Sequence, residues 1–296
     1  MALVVAKRAL ADAALLNREQ RPQNVEIGCG YGTTLGCLES MGIFWNKVKS
    51  SNPKFAQPLP FTHGYANSPS SLLCIEFGLR GAAATFAGER LAGVEALMFA
   101  VDQIASGSAE IILAGASDSL TPAAFNHLFA TGQLSKSGKW DDGIIPGEGA
   151  CMLVLESETS ARARNARIYA EVEGVNYFPI DPKSTVAPMQ IATSPNETVV
   201  FVSTPCVHPG GGWQQPLLES KMPYFASKRY CGDMLSVSPL LGVALGACVL
   251  GAQHVSGIKG ALLNPEHAEG LQNIRFATST GYEPGGSLGV VMLKQC

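Results

Sequence analysis

Charge is scarce in this chain. Only 15% of its 296 residues are Asp, Glu, Lys or Arg, against 46% that are hydrophobic. The formal net charge is -3, so there is no basic surplus to neutralise phosphates, and nucleic acid is excluded as a partner. With so few charges, much of the surface is expected to be contact surface rather than solvated face. Aromatic residues are also few, at 7%. The eight cysteines are scattered and form no C-x-x-C pair, which removes zinc and dithiol redox motifs and points to a reduced, cytoplasmic compartment. No motif asks for a metal or a cofactor. Long hydrophobic spans are missing as well. The longest apolar stretch, 237–252, is too short and too glycine-rich to cross a membrane and contains Pro239. It is expected to be a central core helix. The N-terminal MALVVAKRALADAALL lacks the charged, apolar, small-residue layout of a signal peptide and is read as a surface helix.

Glycine, by contrast, is abundant at 32 residues, which suits a tightly packed α/β architecture in which backbones approach closely. The organising stretch is 81–117, read as strand, sharp turn, buried helix and buried strand. Upstream, Val25–Gly28 is expected to be a short strand and Gly28-Cys29-Gly30-Tyr31-Gly32 a tight turn into a helix over 35–49. This GCGYG lacks both the Gly-Lys-Ser/Thr ending and the full G-x-G-x-x-G spacing, so the plain turn is preferred to a phosphate loop. Segment 53–60, with three prolines, reads as irregular, and 67–77 as a helix opened by Ser68-Pro69. A strand over 168–175 closes the first half, and 177–197 is a linker or surface loop. GEGACMLVLE at 147–156 parallels GGSLGVVMLK at 285–294, and the helix at 91–106 parallels the one at 235–252. Two similar halves, 1–175 and 176–296, follow from this weak repeat.

These segments carry a family resemblance. GLRGAAATFAGERLAGVEALMFAVDQIASGSAEIILAGASD resembles the nucleophile region of β-ketoacyl synthases. DDGIIPGEGACMLVLESETSARARNARIYAEVEG is similar to a long and specific segment of the same family. SKRYCGDMLSVSPLLGVALGACVLGA resembles its Lys…Gly-His helix start, and GYEPGGSLGVVMLK its glycine-rich ending. The resemblance implies a thiolase-like α/β fold: two pseudo-repeated halves in alternating helix and sheet layers, dimeric through the strand before the nucleophile, here Ala82–Ala87. Against the family the chain reads as shortened, both ahead of Met1 and within 177–197.

The resemblance breaks at the catalytic positions. Counting back from Gly93, Arg90 stands where the family has its nucleophilic Cys. Pro205, in VFVSTPCVHP, stands at the first catalytic His, and Asp233, after Gly232, at the second. Glu148, Lys228, Gly232, Gly285 and Gly286 match retained scaffold positions. Condensation needs a thiolate to carry the acyl chain and donors to stabilise an enolate. Arg is always protonated and is no nucleophile, Pro has neither donor nor base, and ionised Asp only accepts. Cys206 and His208 share a face if the segment is extended, yet prolines flank both and nothing orients the imidazole. Cys29, Cys37 and Cys231 are read as packing residues, and the charges over 156–167 as a solvated helix face.

The resemblance therefore implies a catalytically degenerate subunit of fatty acid or type II polyketide biosynthesis, similar to a chain length factor, with no catalysis of its own and no cofactor. Its implied partners are an active ketosynthase, or a second copy, and an acyl carrier protein. Neither nucleic acid nor membrane is among them. Two alternatives stand beside it: a divergent acyl-thioester enzyme using an Arg90/Asp233 pocket, and an acyl-carrier or acyl-CoA binding module. Arg90 and Asp233 either pair as a buried plug in the former acyl site or are solvated independently.

Overall fold

A computed structural model describes residues 1–17, 22, 26–51, 53–140, 142–179, 194, 197–203, 222–252, 274–283 and 286–296. Two sheets stack with helices between them. The first has the order β2-β1-β3-β4, built from Ile27–Thr33 (β1), Ala83–Ala87 (β2), Ile111–Asp118 (β3) and Gly149–Glu156 (β4). The second has the order β5-β9-β8-β6-β7, built from Glu171–Pro179 (β5), Thr198–Val202 (β6), Tyr224–Ala226 (β7), Phe276–Glu283 (β8) and Ser287–Lys294 (β9).

The two sheets repeat one plan. In the first, β1 runs parallel to β2 and β3, and β4 is antiparallel to β3. In the second, β6 runs parallel to β7 and β8, and β9 is antiparallel to β8. One long helix intervenes at the same point in each: α5 (Ala92–Ala105) between β2 and β3, and α9 (Val237–Ala252) between β7 and β8. β5 adds a strand to the outer side of β9.

Both long helices lie between the sheets, where Leu91, Val94, Leu97, Val237, Leu240 and Val243 share one core. Helix α9 carries no charge in VSPLLGVALGACVLGA, and a helix apolar all round belongs between layers. On the outer face of the first sheet lie α1 (Ala2–Asp12) and α4 (Ser68–Phe77), whose Ala6, Leu10, Leu73 and Phe77 pack on Ile27, Cys29 and Tyr31 of β1. Among the described residues no helix is long and apolar enough to cross a membrane.

The glycine-rich GCGYG is not a turn. It is the middle of β1, buried along its whole length. Glycine serves close packing here: a Cβ on Gly32 would lie 2.4 Å from the Ala92 carbonyl oxygen, so α5 reaches the strand only because nothing projects there. The proline-rich segment is likewise more ordered than its composition suggests. It forms a 3-10 turn, Pro53–Phe55, and a short helix α3, Pro58–Thr62, with proline in the first turn, where its missing N–H costs nothing. β7 and β8 have no counterpart in the sequence pattern. β8 carries the hydroxyls of Thr278, Ser279 and Thr280 at its centre, and Ser279 donates to the Pro239 carbonyl at 2.7 Å. The linker read over 177–197 yields its first residues to β5, and the rest of it, apart from Ser194 and Glu197, lies outside the described residues.

The charges at 156–167 are not simply solvated. Arg164, at the end of α7 (Glu158–Ala163), pairs with Glu156, whose side chain is nearly buried, and donates to the Ala13 carbonyl at 2.6 Å, latching the end of α1 to the ends of α7 and β4. Burial pushes the Glu156 carboxyl up, but hydrogen bonds from Arg164 and Ser160 outweigh it and hold the group below its ordinary range.

Candidate functional site

The site lies where the N-termini of α5 and α9 meet. Leu91 caps α5, and its N–H donates to the Glu283 carboxylate at the end of β8, 2.9 Å away. Burial, with Glu89 and Glu95 adding to it, outweighs the Leu91 N–H and raises Glu283 above the ordinary carboxylate range. A Cβ on Gly93 would sit 2.3 Å from the Ser236 carbonyl oxygen, so this glycine lets the two helix starts touch. Arg90 immediately precedes the cap.

Asp233 comes from the other side. Helix α8 (Lys228–Cys231) ends on Gly232, whose φ of +78° is accessible to glycine and whose added Cβ would lie 2.8 Å from Gly147 Cα. The chain then runs beside 145–147: the Asp233 N–H donates to the Ile145 carbonyl at 2.8 Å and its own carbonyl accepts from Gly147 N–H at 3.0 Å. The backbone of Asp233 is therefore fixed on both sides.

Two cations converge on that carboxylate. Arg90 Nη2 and Nε stand 3.1 Å and 3.2 Å from Asp233 Oδ2. Lys228 Nζ stands 2.9 Å from Oδ1, which also accepts the Leu235 N–H at 3.0 Å. The Asp233 and Lys228 side chains are 1% and 3% exposed, and that of Arg90 is 17%. Of the two arrangements open for Arg90 and Asp233, the structure has the pair. Lys228, read as scaffold, is a third member of it. Burial pushes the Asp233 carboxyl up, but Lys228 and Arg90 outweigh it and hold the group below the ordinary carboxylate range. Burial pulls Lys228 down, and Arg90 reinforces this against the attraction of Asp233.

A second carboxylate behind this cluster was not singled out from the sequence. Asp118, buried at the end of β3, accepts from Thr33 Oγ1 at 2.9 Å, from the N–H groups of Thr34 and Leu35 at 2.9 Å and 2.8 Å, and from the N–H and hydroxyl of Ser236. It ties the end of β1 and the approach to α9 to one strand. Its signal in the sequence is slight: an Asp at the end of an otherwise apolar run. Glu148 stands nearby as a structural acceptor, receiving the Leu120 N–H at 3.1 Å. Gly286 has φ +96° and donates its N–H to the Glu283 carbonyl, turning β8 into β9. Pro205, Cys206, His208 and Gly285 lie outside the described residues. Among the cysteines read as packing residues, Cys29 is buried and Cys37 half-buried, but Cys231 is exposed at the end of α8, where the helix turns away from the core.

The chemistry available to this cluster is limited. A guanidinium and an ammonium share one carboxylate, whose oxygens are filled by four donor contacts. Arginine stays protonated and cannot attack an acyl carbon. Asp233 is ionised and acceptor-only, so it opposes rather than stabilises an enolate. The arrangement ties α5, α8 and the approach to α9 together. Among the described residues no group of His, Cys, Asp and Glu is placed to hold a metal ion.

Comparison with known proteins agrees with this architecture. Over the length of the chain the fold matches the ishigamide ketosynthase/chain length factor, with TM-score 0.79 and 20% identity, covering 100% of this chain and 81% of that one. It also matches a type II PKS ketosynthase solved with its acyl-carrier protein and bound to the hexaketide, with TM-score 0.78, 19% identity and the same coverage. The fold is thus thiolase-like, with two similar halves in alternating layers. In sequence, the chain is 28% identical over 192 residues to the tetracenomycin polyketide synthase ketoacyl synthase alpha subunit of Streptomyces glaucescens, covering 59% of this chain and 45% of that one. It is 30% identical over 179 residues to 3-oxoacyl-(acyl-carrier-protein) synthase 2 of Vibrio cholerae, covering 56% and 43%. The chain spans about half the length of these relatives. The family described as "Beta-ketoacyl synthase, N-terminal domain" matches residues 1–161, more than half of the chain, and this protein belongs to that family.

Proposed function

We propose that this chain is a catalytically degenerate ketosynthase-like subunit that pairs with a nucleophile-bearing ketosynthase, in the manner of a chain length factor, in type II polyketide or fatty acid biosynthesis. The observation that carries this reading is the Arg90–Asp233–Lys228 cluster. It fills, with two cations paired to one carboxylate, the place where the resemblance puts a Cys nucleophile and a His donor. An enzyme that kept the chemistry would gain nothing from a buried ion pair there, whereas a scaffold needs the two helix starts held.

The surface supports pairing. Helix α2 (Leu38–Ser50), the 3-10 turn and α3 contribute no buried residue, although aromatic rings meet there: Phe44 lies 5.0 Å from Phe61 at a tilt, and Phe61 lies 5.3 Å from Tyr65, edge to face. Leu38, Ile43, Trp45, Phe55 and Leu59 are exposed there. An apolar helical segment with no core of its own is ordered most simply by a second chain. β2, the edge of the first sheet, offers unpaired backbone groups that a second strand can complete. We also read the chain as two halves, 1–175 and 176–296, that meet within β5 and descend from one duplicated unit. The acyl carrier protein is the further partner of the assembled pair, and the compartment is the cytoplasm.

Co-expression with a Cys-bearing type II ketosynthase tests the reading. The expected result is a 1:1 complex that survives size exclusion. A stable monomer that ignores the ketosynthase contradicts it.

A further inference from the structure

Outside the ion-pair cluster, two thiols are brought together on the outer face of β1. Gly28, Gly30 and Gly32 turn toward α5, since a Cβ on Gly30 or Gly32 would strike the Ala96 or Ala92 carbonyl. Strand alternation therefore directs Ile27, Cys29 and Tyr31 to the opposite face, against α4. On α4, Ser70, Leu73, Cys74 and Phe77 share the stripe at helical spacing that faces the sheet. Ser70 bonds Thr85 of β2, and Leu73 and Phe77 are buried. Cys29 and Cys74 thus face each other within one packed cluster, and both are free. Cys29 is 1% exposed, whereas Cys74 is half-buried and open to a reagent.

We propose that Cys29 and Cys74 are a redox modification site, closing to a reversible disulfide that ties α4 to β1 when a low-molecular-weight disulfide is the oxidant. The S–H of Cys29 holds the Cys74 thiol down, to about 7, against its burial, so the more accessible sulfur is also the more ionised. Hydrogen bonding to Cys74 and burial push Cys29 up. The Cys74 thiolate attacks one sulfur of the small disulfide, forming a mixed disulfide and releasing one small thiolate. Cys29 then loses its proton and attacks the Cys74 sulfur, releasing the second thiolate. Two protein thiols are oxidised and one small disulfide is reduced to two thiols. The closed loop encloses α2 and α3, so oxidation braces the apolar segment proposed above as a pairing surface, although the disulfide itself does not depend on that reading.

The test is incubation of the native chain with oxidised glutathione, acid quench, alkylation under denaturing conditions and peptide mass mapping. The expected result is a Cys29–Cys74 crosslinked peptide, about 2 Da below the sum of its reduced parts, that dithiothreitol removes, with a higher melting temperature in the oxidised sample. Cys29→Ser should trap glutathione on Cys74. Because that position is buried, Cys74→Ser, at the half-buried position, is the second variant and should leave Cys29 fully alkylatable. Recovery of both wild-type peptides alkylated, or a stable glutathione adduct on Cys74 with Cys29 still free, overturns the proposal.

Discussion

Arg90 and Asp233, 143 residues apart in sequence, meet at 3.1 Å across the starts of the two central helices, and Lys228 closes on the same carboxylate. The consequences of this contact are unequal for its members, because their burial differs.

Removing Asp233 leaves two cations without their counterion in a buried place. Asp233→Ala should destabilise the chain by about 3–5 kcal/mol, the usual cost of breaking a buried pair from one side. Arg90→Ala leaves Lys228 still paired, and its effect should be smaller, about 1–3 kcal/mol. Urea unfolding of both variants checks the order. A loss under about 1 kcal/mol for Asp233→Ala would mean that the carboxylate is solvated.

The pH dependence has a definite sign. Asp233 is held below its ordinary value of 3.8 in the folded chain and returns to it on unfolding. Its contribution is therefore full above that value and lost as pH falls through the lower, folded one. The stability gap between the wild type and Asp233→Asn should stay constant from neutral pH down to about 5 and close below about 4. Denaturant titrations at a series of pH values measure it, and a gap that widens on acidification would contradict the assignment.

Asp118 organises more backbone than any member of the ion pair. Asp118→Ala leaves the half-buried N–H groups of Thr34 and Leu35 and the buried one of Ser236 without their acceptor, and a buried group so stranded costs about 1–3 kcal/mol. The variant should be poorly soluble or unfolded at ambient temperature. Asp118→Asn, which keeps an acceptor oxygen, should retain the fold with lower stability, as thermal melts would register.

Arg164 holds α1 from a distance. Arg164→Ala should cost about 1–3 kcal/mol by unpairing the nearly buried Glu156 and freeing the Ala13 carbonyl. Hydrogen exchange should show α1 losing protection first, while α5 and α9 are unchanged.

Much of this was readable in the chain itself, and the reasons differ by element. The stretch from β2 through α5 to β3 is continuous and apolar, so its strand–helix–strand order follows from local pattern, and so does α9. Arg90 and Asp233 emerged because family motifs fix their positions, although only the fold shows them touching. β1 was misread because glycine signals a turn locally, while here it answers to a helix packed across it. β8 hides its strand behind hydroxyls, of which Ser279 finds its partner 40 residues away in Pro239. Asp118, Glu283 and Arg164 were passed over because an isolated charge says nothing of its partners until the chain has folded around it.

The most direct test of the central claim is acyl transfer. The purified chain, incubated with an acyl-carrier thioester beside a Cys-bearing ketosynthase as control, should show no stoichiometric acyl adduct by intact mass, while the control is acylated. A stoichiometric adduct on this chain, mapped to any of its cysteines and lost on substituting that residue, would contradict the account and restore an acyl-transfer activity of its own.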